Sequence, residues 1–248
     1  MKVIAFNSSP NMDKGNTHLI LAPFLDGLTE AGAEVELFYT KKLKVKPCEG
    51  EFHCILKKPG ECIIKDDMQW IYPKWGGADI CVYATPLYCE GMTSTMKRII
   101  DRESPLSSGL FELYNGYSAH PLRNTVNLSK IVLISNCGFP ELENFDALLH
   151  QFANYCKRIL KNGKPLEFAG ALLRPSGPML MPMKEMGVPV DDIFDAAKEA
   201  GRQLVQEGKM SPETLKIVSR DFVPYSVEEQ HEFANKFIRQ SIDEARNR

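Results

Sequence analysis

Hydroxyls at Ser8, Ser9 and Thr17, amides at Asn11 and Asn16, the ammonium of Lys14 and the bare backbone of Gly15 fall within one run, Ser8-Ser9-Pro10-Asn11-Met12-Asp13-Lys14-Gly15-Asn16-Thr17. Such a set suits an anion. Hydroxyls and amides donate hydrogen bonds, glycine lets backbone approach a ligand, and the helical pattern that starts at Thr17 would add free N–H groups and a positive dipole end. The run lacks the spaced glycines of a dinucleotide fingerprint and the Gly-Lys-Ser or Gly-Lys-Thr ending of a Walker loop. Taken one at a time, Ser9, Asn11 or Asn16 could do no more than cap the helix.

Two later stretches have complementary chemistry. Thr85-Pro86-Leu87-Tyr88, followed by Gly91-Met92, exposes backbone and an aromatic together at what reads as a strand end. A planar ligand needs such an apolar wall with a few directed donors; the alternative packs Tyr88 beneath a loop. In Asn136-Cys137-Gly138-Phe139, Gly138 permits close backbone approach. Cys137 reads as a small apolar residue at a buried strand end, with no neighbouring His to activate its thiol.

These stretches must be positioned by strands and helices in alternation. Val3–Phe6, Glu34–Tyr39, Ala78–Thr85, Lys130–Ser135 and Phe168–Leu173 read as strands. Helical patterns start at Thr17, run over 67–75 and 93–101, and place Leu148, Leu149, Phe152, Tyr155 and Ile159 on one face. This order predicts an α/β fold with a five-stranded parallel sheet, ligands gathering at the strands' carboxyl ends. A core over about 1–173 is expected, with a C-terminal helical extension over about 174–248 as part of a single domain: a helix over 191–207 and patterns from Ser211 and Ser226.

From its start to about residue 140 the chain resembles the NADPH-dependent FMN reductases and iron–sulfur flavoproteins of the flavodoxin-like superfamily. The resemblance rests on Ser8-Ser9-Pro10 with Lys14-Gly15-Asn16-Thr17, on Thr85-Pro86-Leu87-Tyr88 with Lys97 and Asp101-Arg102, and on Cys48 through Cys62 followed by Lys65-Asp66-Asp67-Met68. It implies a flavodoxin-like three-layer α/β/α sandwich with FMN phosphate in the first loop, and the ring edged by Pro86, Leu87, Tyr88, Gly91, Met92 and the turn at Asn136–Phe139. It also implies NAD(P)H as co-substrate, a quinone, flavin or other small molecule as electron acceptor, and a homodimer or homotetramer. Flavin carries the hard chemistry, so no catalytic side chain is expected. Two alternatives stay open: an iron–sulfur flavoprotein passing electrons to a protein partner, and a non-catalytic flavin-binding redox sensor.

The iron–sulfur branch presents four cysteines before the Asp-Asp-Met signature. Here Cys48, Cys54 and Cys62 remain, but Glu51 stands where the second ligand would be, and a carboxylate is a hard ligand for such a cluster. The expectation is a segment without metal, packed for its own sake or holding a redox-active thiol pair. Zinc bound by the three thiols and His53 is a further alternative. Asp66 and Asp67 are expected to cap the helix that begins there.

A net charge of -2 gives no electrostatic reason to bind nucleic acid or an anionic membrane. No apolar run approaches the length needed to span a bilayer, and a cytoplasmic protein is expected. His18, His120, His150 and His231 lack metal-ligand spacing and read as solvated or capping. Met179, Met181, Met183 and Met186 either pack under a loop or join Phe139 over the flavin. Phe233, Phe237 and Ile238 form an apolar face for the core or a partner subunit.

Overall fold

A computed structural model describes residues 1–246. In chain order the elements are β1 (Lys2–Asn7), α1 (Asn16–Glu30), β2 (Glu34–Tyr39), α2 (His53–Leu56), α3 (Met68–Gly77), β3 (Ile80–Pro86), α4 (Ser94–Asp101), β4 (Glu112–Tyr114), β5 (Tyr117–Pro121) and β6 (Lys130–Asn136). They continue with α5 (Asp146–Lys157), β7 (Ile159–Lys161), β8 (Lys164–Pro165), β9 (Glu167–Arg174), α6 (Leu180–Glu185), α7 (Asp191–Gln206), α8 (Pro212–Ser219) and α9 (Val227–Arg246). The main sheet runs β2-β1-β3-β6-β9, parallel throughout. This is the five-stranded parallel sheet that the alternation of patterns predicts, in the flavodoxin-like sandwich that the resemblance implies.

Side-chain alternation divides the core into two layers. Ile4, Phe6, Cys81, Tyr83, Ile131 and Leu133 face α3, α4 and α5, whereas Val3, Ala5, Ile80, Val82, Val132 and Ile134 face α1 and α7. Burial on both faces explains why β3 and β6 are continuous apolar runs. Helices α1 and α7 meet at glycines: a Cβ on Gly27 would lie 1.9 Å from the Lys198 carbonyl, and one on Gly201 2.2 Å from that of Phe24. Only glycine permits that approach. At the carboxyl end of β9, buried Arg174 donates to the carbonyls of Val218 and Arg220 and stacks on Phe222, fastening the chain after α8 to the sheet. Burial lowers its pKa to about 10.

Several sequence expectations need correction. The helix expected to include Ile159 stops at Lys157, and Ile159 opens β7. A second sheet, β4-β5-β7-β8, occupies the chain between α4 and β9; its strands are too short for alternation to be visible. Asp67 sits at the start of α3 with no side-chain capping bond among the described residues. Asp66 accepts from the Met68 amide, but its main partner is Arg102. None of the side chains of α9 is buried among the described residues, leaving Phe233, Phe237, Ile238 and Ile242 exposed.

Candidate functional site

Strand order reverses direction at β1, so the crevice beyond the carboxyl ends of β1 and β3 is the topological switch point, where open α/β sheets bind ligands. The three chemistry-bearing stretches converge there. The Ser8 amide donates to the Ala84 carbonyl at 2.8 Å, joining the first loop to β3. The Leu87 amide donates to the Asn136 carbonyl at 2.8 Å, joining the second loop to the third. Thr17 Oγ1 donates to Asn136 Oδ1 at 2.5 Å, closing the ring of contacts between the first and the third.

Within the first loop Ser8, Ser9 and Thr17 are buried, whereas Pro10, Asn11 and Lys14 are exposed at its rim. The loop folds on itself: Asn7 Oδ1 accepts from the Ser9 amide, Ser9 Oγ from the Asn11 amide, and a short helical turn over Met12–Lys14 delivers the chain to α1. A Cβ on Gly15 would stand 2.2 Å from Ser9 Oγ, so glycine leaves the Ser9 hydroxyl its place and any larger residue would displace it. No side chain among the described residues caps α1, which excludes the reading of Ser9, Asn11 and Asn16 as caps. The helix therefore presents its first-turn amides and positive dipole end to the crevice.

The second loop doubles back at Tyr88 and Gly91, whose backbones pair with each other, while Cys89 and Glu90 take left-handed conformations at φ 49° and 55°. This places Tyr88 outside, 53% exposed, rather than beneath a loop. Thr85 is fully buried and its Oγ1 accepts from the Thr93 amide, fixing the start of α4 against the strand. Leu87, Gly91 and Met92 are half-buried. In the third loop Gly138 and Phe139 are exposed, whereas Cys137 is buried with its Sγ donating to the Phe139 carbonyl. Burial raises the Cys137 pKa, the opposite of what a thiolate nucleophile needs.

A cleft of about 380 Å³ opens between the first and second loops, lined by Ser8, Pro10 and Tyr88 and by residues that motif reading passed over, notably Thr40, Lys41, Thr93 and Arg98. Lys41 Nζ donates to the Pro10 carbonyl at 2.8 Å, putting a cation beside the anion-suited loop. Its position after β2, the strand beside β1, puts it on the wall of this cleft, but no spacing in the sequence reveals this. Asn7 Nδ2, at the carboxyl end of β1, is buried without a hydrogen-bond partner among the described residues. An unpaired buried donor is costly unless a ligand engages it. The buried Ser9 hydroxyl, free amides, this orphaned donor and nearby cations fit a phosphate, and the exposed aromatic and apolar turns fit a planar ring.

His18, expected to be solvated or capping, is half-buried 6.1 Å from the Tyr39 ring, and burial lowers its pKa. Met179, Met183 and Met186 line a separate cavity of about 410 Å³ closed by Tyr225, Phe233 and Lys236.

The cysteine segment has other partners. Glu51 accepts from the His53 amide, Cys62 Sγ accepts from Arg102 Nη2 at 3.2 Å, and Arg123 Nη2 donates to the Cys54 carbonyl at 3.1 Å. Cys48 is exposed while Cys54 and Cys62 are buried, and burial raises the pKa of Cys54. Among the described residues no group of three or more His, Cys, Asp or Glu side chains is arranged to hold a metal ion. With a carboxylate in place of one thiolate and these bonds already made, the donor set does not fit a four-iron cluster. The segment is anchored by Asp66 and Arg102, an ion pair at 2.7 Å whose side chains are 4% and 1% exposed.

Among known proteins, residues 1–129 match the family described as NADPH-dependent FMN reductase. An iron–sulfur flavoprotein of Archaeoglobus fulgidus is 34% identical over 115 residues, 46% of this chain and 55% of that protein. One of Methanocaldococcus jannaschii is 36% identical over 46% of this chain and 58% of its own length. The chain thus spans a little over half the length of these curated relatives. Of solved structures, an NAD(P)H:quinone oxidoreductase from Methanothermobacter marburgensis superposes with a TM-score of 0.55 at 17% identity, covering 82% of this chain and 98% of the other. An FMN-dependent NADH-azoreductase from Bacillus anthracis gives 0.56 at 15% identity over 83% and 99%.

Proposed function

The chain belongs to the NADPH-dependent FMN reductase family, and from that membership we propose that it is an FMN-dependent oxidoreductase moving electrons from NAD(P)H to a quinone, a flavin or another small acceptor. The observation that carries the reading is the convergence at the switch point of an uncapped helix start, the buried Ser9 hydroxyl and the unpaired Asn7 donor. When bound, FMN supplies hydride acceptance and electron release.

In this reading the protein's residues bind and orient. The Ser9 hydroxyl and the first-turn amides of Asn16 and Thr17 hold the phosphate, the bonds of Ser8 and of the Thr17 hydroxyl fix the loop around it, and Asn11, Lys14 and Lys41 add contacts or positive charge at the rim. Thr85, Pro86, Leu87, Gly91 and Met92 form one edge of the ring site, and Asn136, Gly138 and Phe139 the other. Tyr88 and Phe139, 53% and 58% exposed, are free to cover the ring face and exclude water. Cys137 supports its turn from within. A homo-oligomer belongs to the same reading, and the exposed apolar side chains of α9 offer it a surface.

The electron-carrier reading requires a cluster that the cysteine segment's donors do not fit, so no specific observation favours it. The test is turnover: the FMN-loaded protein should bleach its visible absorbance on anaerobic addition of NAD(P)H and recover it on adding a quinone. A flavin that stays oxidised with both nicotinamides overturns the proposal.

A further inference from the structure

We propose that the cavity beside Glu103 binds an apolar, aromatic-sized ligand carrying a basic nitrogen, at a site separate from the switch-point crevice. The cavity, about 410 Å³, lies between the cysteine segment and the chain that follows α4, with walls that include Phe52, Ile55, Leu106, Phe111 and Leu122. It shares no lining residue with the crevice. Its size and mostly apolar walls with few polar groups are those of a small-molecule site.

The walls are tied together. Arg123 bridges them, Nε donating to the Pro105 carbonyl at 2.9 Å and Nη2 to that of Cys54 at 3.1 Å. Gly109 has φ +77°, and a Cβ there would stand 2.3 Å from Ile55 Cγ2, so the loop before β4 presses directly on α2. Phe52, at φ 56° and 56% exposed, is held at the mouth in a conformation costly for a bulky residue.

Glu103 supplies the specificity. It is half-buried in the apolar wall and forms no salt bridge among the described residues, although Lys97 and Asp101 pair with each other on the preceding turn of α4. Tyr155 Oη donates to its Oε2, and no hydrogen bond reaches Oε1 among the described residues. Behind it stand Tyr83 and Cys81 of β3 and Cys156 of α5, neutral groups whose own pKa values burial raises. His120, which also lines the cavity, is engaged through Nδ1 with the Leu110 carbonyl and lies 4.6 Å from the Phe111 ring. Burial lifts the Glu103 pKa to about 7, and the nearby cation, Lys97, is already paired with Asp101. A ligand ammonium would provide a counter-ion, with the faces of Phe52 and Phe111 adding cation–π attraction.

The experiment is calorimetric titration of the full, FMN-saturated protein at pH 7.5 with 2-naphthylmethylamine and with 2-naphthylmethanol, equal in size but differing in charge. The amine is expected to bind about tenfold tighter than the alcohol. In Glu103→Gln, which keeps the acceptor for Tyr155, the preference should vanish while alcohol binding persists; Leu122→Trp, which fills the cavity, should abolish both. Equal affinity of the two probes for the native chain overturns the proposal without recourse to any variant. So does a preference that survives in Glu103→Gln, or absence of binding by either probe.

Discussion

Thr17 Oγ1 donates to Asn136 Oδ1 at 2.5 Å, joining the first turn of α1 to the end of β6 across 119 residues of chain. This bond holds the loop suited to a phosphate in register with the turn suited to a ring edge. Thr17→Val keeps the shape, removes the donor and leaves a buried amide oxygen unpaired, a loss of about 1–3 kcal/mol. FMN affinity measured by fluorescence quenching should fall about tenfold or more, and Thr17→Ser should restore most of it.

Gly15 and Ser9 compete for one volume. Gly15→Ala would place a Cβ 2.2 Å from Ser9 Oγ, so it should lower both the thermal midpoint and FMN affinity. Ser9→Ala removes that oxygen and leaves Ser9 Cβ and Asn11 Cβ as nearest neighbours at 3.2 and 3.3 Å. The double variant should therefore regain thermal stability lost by Gly15→Ala while still binding FMN weakly. A double-mutant cycle by thermal denaturation and FMN titration separates the two effects.

The Asp66–Arg102 pair should govern the stability of the cysteine segment in acid. Burial alone would raise the Asp66 pKa, but the Arg102 guanidinium and the amides of Lys46 and Met68 outweigh it and hold the carboxyl below 3.8. Stability from this group is present above that value and is lost as pH falls through the lower, folded-state pKa. Asp66→Asn should cost about 3–5 kcal/mol near pH 7 by stranding a buried guanidinium. Urea denaturation should show the deficit shrinking as pH falls below about 4, where the unfolded chain takes up the proton first, and vanishing once the lower folded-state pKa is passed.

Glu103 has the opposite sign. Its folded-state pKa is raised, to about 7, so its favourable contribution is complete below 4.5 and is lost as pH rises through about 7. Glu103→Gln should match the native thermal midpoint at pH 4 and exceed it at pH 8. A variant less stable than the native chain at pH 8 would contradict the desolvated environment described.

Residues with strong local signals were legible in the sequence. Val3–Phe6 and Lys130–Ser135 are buried on both faces, so their apolar runs mark strands whatever surrounds them, and the Ser8–Thr17 turn has the chemistry of its position. Contacts that depend on tertiary placement left no such signal. Lys41 reaches Pro10, and Arg102 spans to Asp66, only after the sheet has formed. The short strands of the second sheet pair through backbone rather than through a pattern of side chains, and Ile159 continues the apolar spacing of α5 although its backbone has already turned into β7. Glu51 was readable as a break in the cysteine run; its bond to the His53 amide was not.

Titration of the flavin-free protein with FMN and with riboflavin, which lacks the phosphate, tests the Ser8–Thr17 loop most directly. FMN should bind at one equivalent per chain, and riboflavin about a hundredfold or more weakly, because the phosphate contacts are charge-assisted. Equal affinity for the two flavins, or no binding of FMN, would contradict a phosphate site at the start of α1.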